Sequence, residues 1–147
     1  MGAAKKNKKD SLRRCMIVFA AGLMLTACAG RKSPYDVDLT DMSSNMIYGQ
    51  VSEMVNDPEN FEGKSVRLDG YFSYYSTKEG SAHFAAVVPD ALACCEQGIE
   101  FVPDSSLSYP EDFPSQGEDI RVTGVFASYS EDGIKGFHLE NAVMTLR

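Results

Sequence analysis

The chain has 147 residues, with 14 Lys and Arg against 21 Asp and Glu for a formal net charge of −7, and it carries four Cys and two His. An acidic balance of this kind argues against nucleic acid or anionic lipid headgroups as partners and favours cations or basic surfaces. Two histidines are too few for most acid–base arrangements, and the chain has no Gly-rich phosphate loop, His-Glu-x-x-His or nucleophile elbow.

In chain order, Lys5, Lys6, Lys8, Lys9, Arg13 and Arg14 form a basic leader, followed by an apolar run over 15–25. That run is shorter than the roughly 20 apolar residues that a membrane-spanning helix needs. It ends in Leu25-Thr26-Ala27-Cys28, which resembles the lipobox of bacterial lipoproteins. The resemblance implies a signal peptide over 1–27, cleavage before Cys28, and diacylglycerol and palmitate chains on the Cys28 mature N-terminus. More than one acyl chain gives stable anchoring where a single chain does not. The expected address is therefore the extracytoplasmic face of the cell membrane. Cleavage would remove six basic residues and one acidic residue, leaving 8 basic and 20 acidic residues and a net charge of −12. Residues 28–39 lack periodicity and read as a lipidated tether, with the folded domain over 40–147.

Over 40–56, Met46, Ile47, Val51, Met54 and Val55 show the one-face spacing of an amphipathic helix. Thr40 or Asp41 is the expected cap, and Asp57-Pro58 the stop. Met46 and Met54 read as core gap fillers, with soft metal ligation the competing use. The helix is expected to lid one open end of a barrel, and Phe61 to plug it.

The stretch 63–76, GKSVRLDGYFSYYS, recurs 54 residues later at 117–130 as GEDIRVTGVFASYS. The shared pattern is G-x-x-[VI]-R-[LV]-x-G-x-F-x-x-Y-S. Apolar alternation running through a glycine predicts a strand that bends where a side chain is missing. Val66, Leu68 and Phe72 should point inward, with Arg67, Asp69, Tyr71 and Tyr75 on the opposite face. Further strands are predicted over 83–88, 99–102 and 135–146. Hairpin turns at 77–81 and 131–133 join the strands of each half, and a Pro-, Ser- and Asp-rich link over 103–116 is anchored by Tyr109 and Phe113. Strands one to three, a link and a last hairpin make a mainly β chain, a five-stranded OB-like Greek-key barrel with one N-terminal amphipathic helix. The competing architecture is a small open sheet or sandwich with the helix on one face.

PENFEGKSVRLDG, ACCEQGIEF and YPEDFPSQGEDIRVTGVF together make residues 56–147 resemble small bacterial OB-fold lipoproteins, chiefly of Gram-positive organisms. They are also similar to the extracytoplasmic OB-like domain of a permease-associated family. The resemblance implies fold and location, but no activity and no catalytic residue. A transporter component or another surface protein is the implied partner, and nucleic acid is not expected.

Cys94 and Cys95 are the only thiols left once Cys15 is cleaved off and Cys28 acylated, and the expected compartment permits oxidation. Adjacent Cα atoms lie about 3.8 Å apart, below the usual disulfide span, and successive side chains of a strand face opposite ways. Three uses stay open. They are one thiol buried with the other exposed, capture of zinc or copper by the pair with His83, His138 or a nearby carboxylate, and redox-active or intermolecular disulfides. Tyr71, Tyr74 and Tyr75 likewise read either as a stacking face for a ligand or as cross-strand pairs covering the outer wall. Two functions follow: a non-enzymatic binding or accessory module whose barrel face or loops hold a peptide, glycan or transporter component, or a thiol-based metal-binding or redox accessory protein using Cys94 and Cys95.

Overall fold

A computed structural model describes residues 32–76, 82–131 and 133–147. The expected signal peptide, the lipidation position Cys28 and the 77–81 turn lie outside the described residues. The compact unit that holds the fold spans Ser33–Arg147. It is mainly β, with one helix and a mixed six-stranded sheet.

The strands are β1 (Val37–Asp38), β2 (Ser65–Ser76), β3 (Ala82–Pro89), β4 (Glu96–Pro103), β5 (Asp119–Glu131) and β6 (Ile134–Leu146). The sheet order is β1-β2-β3-β4-β6-β5, and β5 also pairs with β2. The β1–β2 and β4–β6 pairs are parallel and the others antiparallel.

The helix α1 (Ser44–Asn56) starts later than its apolar spacing predicts, with Ser43 at the cap position. Thr40 is engaged elsewhere, its backbone N–H and its hydroxyl both donating to Asp38 Oδ1. Val51 and Met54 are buried, whereas Met46 is 59% exposed. Met46 and Val51 are five residues apart, which places them about 140° apart around a helix of 3.6 residues per turn. Met46 therefore falls outside the stripe that packs. The helix stops where Asp57 donates to Glu53 O and Pro58 opens a 3₁₀ turn, Pro58–Asn60.

The duplicated stretches become the adjacent strands β2 and β5, with Leu68 paired to its own counterpart Val122. Their inward positions Val66, Leu68, Phe72, Ile120, Val122 and Phe126 are all buried. Gly70 and Gly124 mark close approaches. A Cβ on Gly70 would sit 2.7 Å from Val87 O, and one on Gly124 would sit 2.8 Å from Leu139 Cβ and 2.9 Å from Glu140 O. Phe61 is buried against Phe126.

The segment expected to be a tether differs from expectation at its end. Val37 and Asp38 pair with Val66 and Arg67, and Leu39 is buried. Arg67 donates to both carboxylate oxygens of Asp38, at 3.0 and 2.6 Å. A two-residue strand has no periodicity to read, and what holds this one is a partner 29 residues away.

Candidate functional site

Alternation along each strand places His83, Glu100 and His138 beside inward-packing neighbours, Phe84, Phe101 and Leu139, so the three polar side chains face outward. Cross-strand register brings them close: Tyr75 is opposite His83 and Glu100 opposite His138, while Ala85 faces Glu100 and leaves His83 its diagonal neighbour. Tyr129 completes the row from β5. The result crosses β2, β3, β4, β6 and β5 in the order Tyr75, His83, Glu100, His138, Tyr129.

Glu100 is the centre of this row. The Tyr75 hydroxyl donates to its Oε1 and the Tyr129 hydroxyl to its Oε2 at 3.0 Å, while His83 Nδ1 lies 3.4 Å from Oε2. Tyr75 stacks on His83 with ring centres 5.1 Å apart, and Tyr129 stacks on His138 at 4.8 Å. The Tyr129 ring reaches His138 by lying over Gly136, where a Cβ would come within 2.4 Å of the ring. The two tyrosines are the same position of the duplicated stretch, 54 residues apart, so the repeat delivers one phenol to each oxygen of a single carboxylate.

Beside this row lies a cleft of about 290 Å³, lined by His83, Glu100, Tyr129 and His138 with Val102 and Pro103. Nε2 of His83 and Nε2 of His138 are buried without a hydrogen-bond partner among the described residues. The nearest carboxylate to the second is Glu140, whose Oε1 is 3.6 Å away and beyond hydrogen-bond range. A buried polar atom left unpaired costs about 1–3 kcal/mol.

The three tyrosines of the sequence reading part company. Tyr75 belongs to the Glu100 row. Tyr74 packs at a tilt against Tyr109 with ring centres 4.5 Å apart, where Tyr109 and Phe113 anchor the 104–118 link against Phe84. Tyr71 lines a second cleft of about 220 Å³ with Asp69 and Arg147. Burial, together with its hydrogen bond to the Glu96 carboxylate, pushes the Tyr71 hydroxyl up to about 12.

Cys94 and Cys95 lie at the far end of β3 from His83, in the loop joining β3 to β4. Their partner is Asp90. Its Oδ1 accepts from the Leu92 and Cys94 backbone N–H groups at 3.2 and 2.9 Å, and its Oδ2 lies 3.1 Å from Cys94 Sγ. The Asp90 carboxylate, with Cys95 beside it, pushes the Cys94 thiol up to about 11. Both thiols are free and exposed, 3.8 Å apart. Neither is the inward-packed hydrophobe that one sequence reading allowed.

Sequence reasoning missed Glu100 and Asp90. Glu100 looks like any polar residue of a half-exposed strand. The available signal was the repeat, which makes Tyr129 the equivalent of Tyr75 and asks what the two share. In comparisons with known proteins, no family model matches the chain, and no curated protein matches it.

Proposed function

We propose that the chain is a non-enzymatic binding module, an OB-like barrel held by lipid on Cys28 at the extracytoplasmic face of the cell membrane, and that it binds oligosaccharide at the Glu100 row. The observation that carries this is the convergence of two phenols and an imidazole on the Glu100 carboxylate beside one cleft. Two ring stacks, Tyr75–His83 and Tyr129–His138, flank the carboxylate and supply flat apolar surfaces next to polar ones.

Support for the barrel comes from the pairing of β5 with β2 as well as β6, which gives each of the five long strands hydrogen-bonded neighbours on both sides. The parallel pairing of β4 with β6 supports the OB-like order. OB-folds bind oligonucleotides and oligosaccharides on the face between the hairpin turns that follow their first and fourth strands. In this chain the corresponding connections are 77–81, outside the described residues, and 131–133; Tyr75 and His83 flank the first in sequence and Tyr129 precedes the second. A formal charge of −7 opposes the oligonucleotide, which leaves the sugar.

Titrating the full chain in detergent with N-acetylglucosamine oligomers and neutral glucans tests this reading. Saturable binding is expected, weakened at least ~10-fold in Glu100→Ala, whose loss unties both phenols, with a single-stranded oligonucleotide failing to bind at the same salt. Failure of every sugar, or equal binding by Glu100→Ala, would overturn it. The anchor is tested separately: palmitate labelling should be present in the wild type and absent in Cys28→Ser.

A further inference from the structure

At the opposite end of β3 from the Glu100 row, three potential ligand atoms converge in a loop that the binding reading leaves without a role. Asp90, Cys94 and Cys95 each offer one ligand atom, and these atoms all lie within 4.8 Å of one another. We propose that Asp90, Cys94 and Cys95 form a zinc site with three protein ligands and a fourth position open to solvent.

The sulfur spacing argues for it first. Two thiolates bound tetrahedrally at a Zn–S distance of about 2.3 Å sit about 3.8 Å apart. Cys94 Sγ and Cys95 Sγ are 3.8 Å apart. That separation is far beyond the roughly 2.05 Å of a disulfide.

The backbone explains how neighbouring residues achieve it. Successive side chains on a strand face opposite ways, which would split the pair. Ala93 instead adopts the left-handed region, with φ 52°, and Asp90 N–H closes the loop onto Cys95 O at 2.9 Å. A non-glycine residue with positive φ is uncommon and is held here by the loop's own hydrogen bonds. The turn sets both thiols on one side.

The third donor is oriented in advance. Asp90 Oδ1 is fixed by two backbone N–H groups, which leaves Oδ2 directed at Cys94 Sγ, 3.1 Å away. Two thiolates and a carboxylate suit zinc, whose structural sites are tetrahedral and whose three-ligand sites hold water in the remaining place. On binding, each thiol gives its proton to solvent and the ion takes both thiolates and the carboxylate. Because both cysteines are exposed, the fourth position faces outward, as an exchangeable site requires and a closed structural one does not. His83 takes no part, since it lies beside Glu100.

The test is zinc titration of the reduced full chain in detergent against a chromophoric chelator. One zinc per chain is expected, abolished in Cys94→Ser/Cys95→Ser, weakened at least ~10-fold in Asp90→Asn, and unchanged in His83→Ala. No uptake by reduced wild type, or uptake surviving the double cysteine variant, would overturn the proposal. In case the double variant misfolds, alkylation of the wild type mapped by mass spectrometry gives a second reading. Zinc should protect Cys94 and Cys95, and equal labelling with and without zinc would count against the site. Neither result depends on whether the Glu100 row binds sugar.

Discussion

Arg67 and Arg121 occupy the same position of the duplicated stretch, and each grips a carboxylate with two hydrogen bonds, yet they find it in different places. Arg121 reaches directly across to Asp69 on the neighbouring strand, at 2.6 and 2.8 Å, and Arg147 joins the same carboxylate at 3.0 Å. By the local two-fold relation between β2 and β5, Arg67 faces Thr123, the counterpart of Asp69. Thr123 offers no charge. The carboxylate comes instead from Asp38, on a strand outside the repeat. One substitution in one copy thus gives the short strand β1 its ionic seat on the sheet. The difference teaches that a repeat fixes the positions of its side chains, while its surroundings decide what those side chains do.

The largest effects test where the copies are equivalent. Phe72→Ala and Phe126→Ala each empty a buried core position, and each should cost about 3–5 kcal/mol in chemical denaturation. A large inequality would show that the two halves do not share one core. Next come Gly70→Ala and Gly124→Ala. Each drives a methyl group into neighbouring atoms that include unyielding backbone, and each should cost about 1–3 kcal/mol.

The arginine pairs sharpen the contrast. Asp38→Ala should speed hydrogen exchange at the Leu39 N–H, which donates to Arg67 O at 2.8 Å, because β1 loses its charged anchor. Adding Thr123→Asp should restore a partner to Arg67 and recover stability without restoring protection at Leu39. If protection returns as well, Asp38 is not what seats β1. Acid should act on the same pair: the Arg67 guanidinium holds the Asp38 carboxyl well below its ordinary range. Its folded-state pKa is depressed, so its contribution is present above the ordinary carboxylate pKa of about 3.9 and is lost as pH falls below that value. The stability gap between wild type and Asp38→Asn should therefore close in strong acid. The smallest effect is expected from Tyr75→Phe and Tyr129→Phe, each removing one phenol from Glu100 at about 1 kcal/mol.

Much of the fold was legible because alternation and repetition are local signals. Spacing alone puts Val66, Leu68 and Phe72 in the core, and the observed strands exceed the predicted ones by only a few residues. Asp38 was not legible, since its partner is a side chain on another strand and two residues carry no pattern. Met46 was misplaced because apolar type outweighed its angle on the helix. The Glu100 row was hidden for a related reason: its five members come from five strands, and only register makes them neighbours. Cys94 and Cys95 stood out by type, but Ala93 and Asp90, which turn them to one side, did not.

The most direct test of the claim that a duplicated tyrosine frames a binding face is nitrogen-15 NMR of the imidazole rings during oligosaccharide titration. Saturable shifts at Nε2 of both His83 and His138, with the amides of 90–95 unmoved, are predicted. Shifts confined to other residues, or none at sugar concentrations that saturate binding, would contradict it.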